Sequence, residues 1–349
     1  MAKEIRISDD DGSTWHVLPG STGEFSPEGE TIEDTIFGYN YQSQLTGLIS
    51  WTLSANAMYK GFAGYHAQLL RNDTATSVTG EPMSNTSGQI YQVDDGAKNI
   101  WDRSGVVTVY DDGTDATDNV EWIDFLTGRI KFVESYSVTG SVTADFTYYS
   151  TKVFGKANSF TLTMSTETND TSTYDKAQDN GGFRTYDPGL KTVELELGGI
   201  FDADENAKDI LKQRNEIIVS IDPVGDGETL IRGFFRVVST PQSGDVGALE
   251  EQTINLTLNV PQQDKMYGAF SAAFAPDTSL NVATQKIFQA WLDEEKIKVQ
   301  YLPSGTTGNS PLDGVEGQAV MTDVSLSGGL SDMNTFTADM QGDGAWTEV

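Results

Sequence analysis

The chain uses one phrase twice, 142 positions apart. Tyr41-Gln-Ser-Gln-Leu-Thr-Gly47-Leu48-Ile-Ser-Trp51-Thr-Leu53-Ser-Ala55-Asn-Ala-Met58-Tyr59 returns as Phe183-Arg-Thr-Tyr186-Asp-Pro188-Gly189-Leu190-Lys-Thr-Val193-Glu-Leu195-Glu-Leu197-Gly-Gly-Ile200-Phe201. Each copy runs from an aromatic residue through a Gly-Leu pivot into an alternating strand and two bulky residues. Internal repetition decides what the structural unit is. Here the unit is a β module, and the chain is built from two related ones.

Later segments echo each other as well. Ile297-Lys-Val299-Gln-Tyr301-Leu-Pro303 matches Ile217-Ile-Val219-Ser-Ile221-Asp-Pro223 at an offset of 80, and Thr335-Phe336-Thr-Ala338-Asp-Met340 matches Thr253-Ile254-Asn-Leu256-Thr-Leu258 at 82. The simplest accounting is a split first module, 1–71 with 265–349. It encloses an inserted β subdomain at 72–152 and an intact second module at 153–264. Two full modules with a partial third is the other arrangement.

The strand readings rest on period-2 alternation. Ile49, Trp51, Leu53 and Ala55 mark one strand; Phe160, Leu162 and Met164 mark another. Further strands are expected at Val106–Tyr110, Arg129–Val133, Ser141–Tyr149, Ile217–Ile221, Leu230–Val238 and Thr253–Leu258. Helical spacing places helices near Ala203–Arg214, with Ala207, Ile210 and Leu211 facing inward, and near Val282–Glu295, with Ile287, Phe288 and Trp291. A third short helix over Phe62–Arg71 competes with the last for one slot.

Composition narrows the chemistry. Cysteine is absent, which removes disulfides, thiolate metal sites and cysteine nucleophiles. The only histidines, His16 and His66, lie far apart, and no P-loop, dinucleotide fingerprint, nucleophile elbow or zinc motif occurs. Asp9-Asp-Asp-Gly12 and Asp111-Asp-Gly-Thr-Asp-Ala-Thr-Asp118 are rich in carboxylates but lack calcium-loop spacing, so both read as solvated turns. No enzyme, cofactor or metal site is expected. No apolar run spans a membrane, and Met1-Ala-Lys-Glu-Ile-Arg does not read as an export signal.

Charge excludes a further class. With 52 acidic against 22 basic residues the net charge is −30, a field that repels phosphates and argues against a grip on duplex DNA. It permits DNA that must slide past without sticking. Asp outnumbers Glu 32 to 20, as suits a surface hydrated in high salt, whereas Lys (14) exceeding Arg (8) runs against a halophilic source.

A β module with open strand edges aggregates unless those edges are paired. Head-to-tail pairing that closes makes a ring, and stacked rings make a tube. The sequence resembles the major tail tube proteins of long-tailed viruses of bacteria and archaea. The resemblance rests on Thr35-Ile-Phe-Gly38 through Leu48, on Gly182-Phe-Arg-Thr-Tyr-Asp-Pro-Gly189-Leu190-Lys, and on the closing segments from Val320 and from Phe336 to Gly344.

The resemblance implies a mainly β fold of two tail-tube-like β-sandwich or half-barrel modules, each with a flanking helix, plus an outward-facing all-β insertion. It implies a virion tail protein, assembled in the host cytoplasm, that polymerises around a channel for genomic DNA. Partners would be further copies of itself, a tape-measure protein and tail-end or terminator proteins. One module per chain usually gives hexameric rings in such proteins, so two modules imply trimeric rings with pseudo-sixfold form. Tyr41, Gly47, Leu48, Trp51, Phe183, Tyr186, Pro188, Gly189 and Leu190 are the expected ring or inter-ring contacts. The competing class is an acidic, β-rich cell-surface, surface-layer or adhesin protein; a carbohydrate-active β protein is a third.

Overall fold

A computed structural model describes residues 4–18, 22–33, 44–58, 67–157, 159–173, 181–199, 216–224, 230–240, 242–243, 251–260, 266–267, 270–273, 282–303, 314–329 and 334–349. The chain opens with β1 (Glu4–Ser8), β2 (His16–Val17), β3 (Thr22–Glu33), β4 (Gln44–Met58) and β5 (Ala67–Ser87). Short strands follow: β6 (Ile90–Val93), β7 (Thr108–Asp111), β8 (Thr114–Asp115), β9 (Val120–Asp124) and β10 (Arg129–Phe132). Three long ones come next, β11 (Val142–Ala157), β12 (Ser159–Asp170) and β13 (Tyr186–Gly199). After them run β14 (Glu216–Ile221), β15 (Leu230–Ser239), β16 (Gln242–Ser243), β17 (Glu251–Leu258), β18 (Met266–Tyr267) and β19 (Phe270–Ala273). The helix α1 (Val282–Asp293) leads into β20 (Ile297–Leu302), β21 (Val315–Gly329) and β22 (Thr335–Glu348).

The chain divides into two compact units, 1–61 with 161–193 and 277–349, and 62–160 with 194–276. The boundaries expected at 71/72 and 152/153 fall inside the continuous strands β5 and β11.

In the first unit the antiparallel order is β2, β1, β20, β21, β22, β4, β3. β12 also pairs with β21. The second unit repeats this scheme in register. Leu53 pairs with Met340 and Leu195 with Leu256. Val299 pairs with Gly317 and Val219 with Gly233. Ile7 pairs with Val299 and Leu69 with Val219. Even the β-bulge recurs, between Met321 and Asp323 in one unit and between Val237 and Ser239 in the other. The pairing fixes the β22–β17 offset at 84, not 82. A slip of two residues keeps every side chain on its face, which is why sequence matching alone does not detect it.

The same registers locate the extra β material. β2 pairs with β1 through Arg6 and Val17, and the end of β11 pairs with β5 through Gln68 and Lys156. The short connection 9–15 of the first scheme therefore corresponds to about 71–154 in the second, and the expected insertion lies within that enlarged connection. Its core contains Trp101, Phe132 and Phe146, closed by Ile218 and Phe234 of β14 and β15.

One helix expectation changes. Residues 67–71 are strand, because β11 and β14 flank them on both sides and satisfy the backbone that a helix would have to satisfy internally. Residues 62–66 lie outside the described residues, as does the helix expected over 203–214. The expected strand at Val106–Tyr110 starts at Thr108, and Val106 stands 83% exposed before it. The helix at 282–293 forms as its spacing indicates, burying Ala283, Ile287, Phe288, Ala290 and Trp291 on one stripe. It ends on Glu294 at φ +61, with Glu295 N–H donating to the Ala290 carbonyl. Among the described residues no helix is long and apolar enough to cross a membrane.

Both expected Asp-rich turns are internally bonded. Asp10 accepts from the Ser8 hydroxyl and from the Thr14 N–H, which hold its pKa at about 2. Asp112 and Gly113 carry positive φ in the tight turn between β7 and β8. Asp111 is buried; it accepts from Tyr136 and Thr139 hydroxyls and from Thr139 and Gly140 N–H groups. Burial pushes its pKa up, but these bonds outweigh it and hold the carboxyl below its ordinary value. A depressed carboxylate stabilises the fold above its unfolded pKa and loses that effect as pH falls through the folded value. Buried Asp124 runs the other way, raised by burial. The expected outcome is acid loosening of the insertion below about pH 4, read by near-UV circular dichroism. Asp111→Asn should flatten that transition while lowering Tm at neutral pH.

Candidate functional site

The two copies of the repeated phrase form equivalent strands, β4 and β13, and their first halves meet inside the first unit. Ile49 N–H donates to the Gly182 carbonyl (2.9 Å) and Arg184 N–H to the Ile49 carbonyl (2.8 Å), a parallel bridge between Ile49 and Phe183. Eight of the nine expected contact residues lie on these strands or the turn before β13; Tyr41 lies outside the described residues. Trp51 is buried, while Gly47, Leu48, Phe183, Tyr186, Pro188 and Gly189 are half-buried. Leu190 is 75% exposed.

Both pivot glycines permit a close approach of strands. A Cβ on Gly189 would stand 2.9 Å from the Glu167 carbonyl oxygen, and one on Gly47 3.0 Å from the Glu30 Cβ. The two hairpins β3–β4 and β12–β13 thus correspond residue by residue, Glu30 matching Glu167.

Aromatic rings continue the seam. Phe183 packs edge-on against Trp346 at 4.7 Å, Trp346 against Phe25 at 5.5 Å, and Phe25 against Trp51 at 5.5 Å. Trp51 lies over Gly317 and Gly342, where an added Cβ would come within 2.6 and 2.0 Å of the indole. Its Nε1 donates to the Gly344 carbonyl at 2.9 Å.

Three cations clasp the segment 161–193 in place. Arg184 bridges Glu30 (2.8 Å) and Asp170 (2.6 Å). Its bond to Glu30 is the largest influence raising its pKa. Lys296 bridges Asp187 (2.9 Å) and Asp343 (3.0 Å); burial lowers its pKa, and the two carboxylates more than offset this. Lys191 donates to the Leu292 carbonyl at 3.0 Å, pairs with Glu294 at 3.0 Å and sits 5.0 Å from the Trp291 ring centroid. The Asp343 carboxylate also accepts from the Tyr186 N–H at 2.7 Å.

The sequence expectations omitted Arg184, Lys296, Asp343, Phe25 and Trp346. One signal was present. In a chain this acidic each cation is scarce, and two of them, Arg184 and Lys191, sit inside the second phrase. Among the described residues no group of three or more His, Asp or Glu side chains is arranged to hold a metal. This arrangement holds the segment 161–193 against the rest of the first unit.

No family model matches the chain, and no curated protein matches it. Among solved structures it is similar to a chain from the tail of an empty GTA particle, computed with helical refinement and C6 symmetry. The two are 17% identical, 36% of this chain aligning with 87% of that one at a TM-score of 0.28.

Proposed function

We propose that this chain is a structural tail protein that polymerises with copies of itself into stacked rings, forming a hollow tube through which viral DNA passes. The observation that supports this most is the repeated pairing scheme. A chain that carries one strand arrangement twice, bulge included, supplies two ring positions, so three chains make a ring of six like modules.

The acidity fits the same reading. A wall of net negative charge keeps phosphates moving, where a basic wall would hold them. The reading brings with it a virion location, a tape-measure protein that sets tube length, and terminator proteins at the tube end. Negative-stain microscopy of the purified protein tests it. Rings or tubes with a central hole are expected; flat lattices favour a surface-layer protein, and dispersed monomers at every salt concentration contradict the proposal.

A further inference from the structure

The in-chain pairing of β12 with β21 is a template for a contact that the other half of the repeat does not make among the described residues. Ala319 on β21 pairs with β20 on one side and β22 on the other. Beyond Ala319, β21 keeps β22 and gains β12 on its other edge, with the Ser165 hydroxyl donating to Asp323 at 2.7 Å. The equivalent residue in the second unit, Phe235, likewise has β14 and β17 on its two sides. Beyond Arg236, Val237–Ser239 and Gln242–Ser243 pair only with β17 among the described residues. Val238 on this stretch is 58% exposed. An open edge of this kind takes up another strand.

The strand that matches β12 is β3, residue for residue. Both are twelve residues long, Thr22–Glu33 and Ser159–Asp170. β12 buries Phe160, Leu162 and Met164, whereas β3 pairs only with β4 among the described residues and exposes Pro27 through Glu30. At the position of Ser165 stands Glu28, and at that of Asp323 stands Ser239. A hydroxyl again meets a carboxylate, with the two strands exchanging roles. Ser239 accepts from Asn255 Nδ2 at 2.7 Å, so its own hydroxyl proton is left to donate.

We infer that β3 of one copy adds to the β15–β16 edge of a second copy, and that this seam lacks the ionic clasp of the in-chain one. The inference rests on the ring-forming reading above. All three clasping cations change at the equivalent positions: Arg184 becomes Gln42, Lys191 becomes Ile49 and Lys296 becomes Glu216. Glu216 is already held by Arg103 and Asn259 within the second unit. The seam between copies is therefore held by backbone pairing and the Glu28–Ser239 bond, against the mutual repulsion of chains at −30. Salt screens that repulsion and has no clasp to weaken. Association between copies strengthens as salt rises, opposite to an interface held by ion pairs.

Sedimentation velocity across a salt series tests this with three proteins. The native chain is expected to associate more strongly from about 0.05 to about 1 M salt. Ser239→Asp, which sets a carboxylate against Glu28, is expected to remain a folded monomer, with association weakened about tenfold or more. Adding Glu28→Ser reproduces the Ser165–Asp323 pair in its own orientation, hydroxyl on β3 and carboxylate on β15, and should restore assembly. Glu28 is exposed, so Glu28→Ser alone gives a folded protein with weakened association even if Ser239→Asp does not fold. Native rings that persist in Ser239→Asp overturn the seam and leave the tube reading standing. A double variant that fails to assemble overturns the register. A native chain that never associates removes the ring reading itself.

Discussion

Gly342→Leu is expected to unfold the first unit at temperatures where the native protein is intact, and Trp51→Val in the same chain is expected to rescue it. The indole of Trp51 lies where a side chain on Gly342 or Gly317 would have to go. The equivalent positions in the second half of the repeat hold the opposite arrangement, Val193 for Trp51 and Leu258 for Gly342. Bulk has moved from one strand to the neighbouring one while the backbone scheme stayed the same. Overfilling a packed site costs about 1–3 kcal/mol and more when backbone must move; Trp51→Ala, which empties it, should cost about 3–5 kcal/mol. Calorimetry should show each single change lowering Tm, by about 2–12 °C for the overfilled site and about 6–20 °C for the emptied one, with the double variant Trp51→Val/Gly342→Leu recovering at least half. Additive losses in the double variant would mean that the two positions do not share one space.

Arg103→Ala is expected to loosen the second unit nearly as much. Arg103 is 8% exposed; its Nη1 donates to the Asn259 carbonyl at 2.7 Å, its Nη2 pairs with Glu216, and its guanidinium lies 4.0 Å over the Phe234 ring. Desolvation lowers its pKa, opposed by Glu216. Truncation leaves the Asn259 carbonyl without this donor, leaves Glu216 with the Asn259 side-chain amide in place of an ion pair, and uncovers Phe234. Because Glu216 remains about a quarter exposed, the loss is expected near 2–3 kcal/mol, below the value for a fully buried pair. Arg103→Lys should recover little, since one ammonium cannot serve two acceptors and the ring with the planar fork. Limited proteolysis gives the readout: cleavage within 94–106 should rise in both variants. Equal resistance in Arg103→Lys and the native chain would show that charge alone suffices there.

Much of this arrangement was legible in the residues, and the reason is physical. Alternation in Ile49-Ser-Trp51-Thr-Leu53-Ser-Ala55 reports one buried face directly, and the strand formed where it points. The stripe of Ile287, Phe288 and Trp291 did the same for α1. Phe62–Arg71 misled because Ala67 and Leu70 fit a helical spacing, while what decides their conformation is two strands distant in sequence. The slip from 82 to 84 was invisible because a two-residue shift preserves alternation and only the bulge and partner residues fix the register. The clasp of Arg184, Lys191 and Lys296 could not be read either. Its carboxylate partners, Glu30, Asp170, Asp187, Glu294 and Asp343, are five among 52, and abundance hides which acid a cation meets.

The most direct measurement of the central claim is the number of chains in one assembled ring, by native mass spectrometry together with cryo-electron microscopy of the same particles. Three chains, with threefold symmetry that looks sixfold only at low resolution, are the predicted result. Six chains per ring related by true sixfold symmetry would contradict it, because each chain would then fill one position and the repeated phrase would not count ring places.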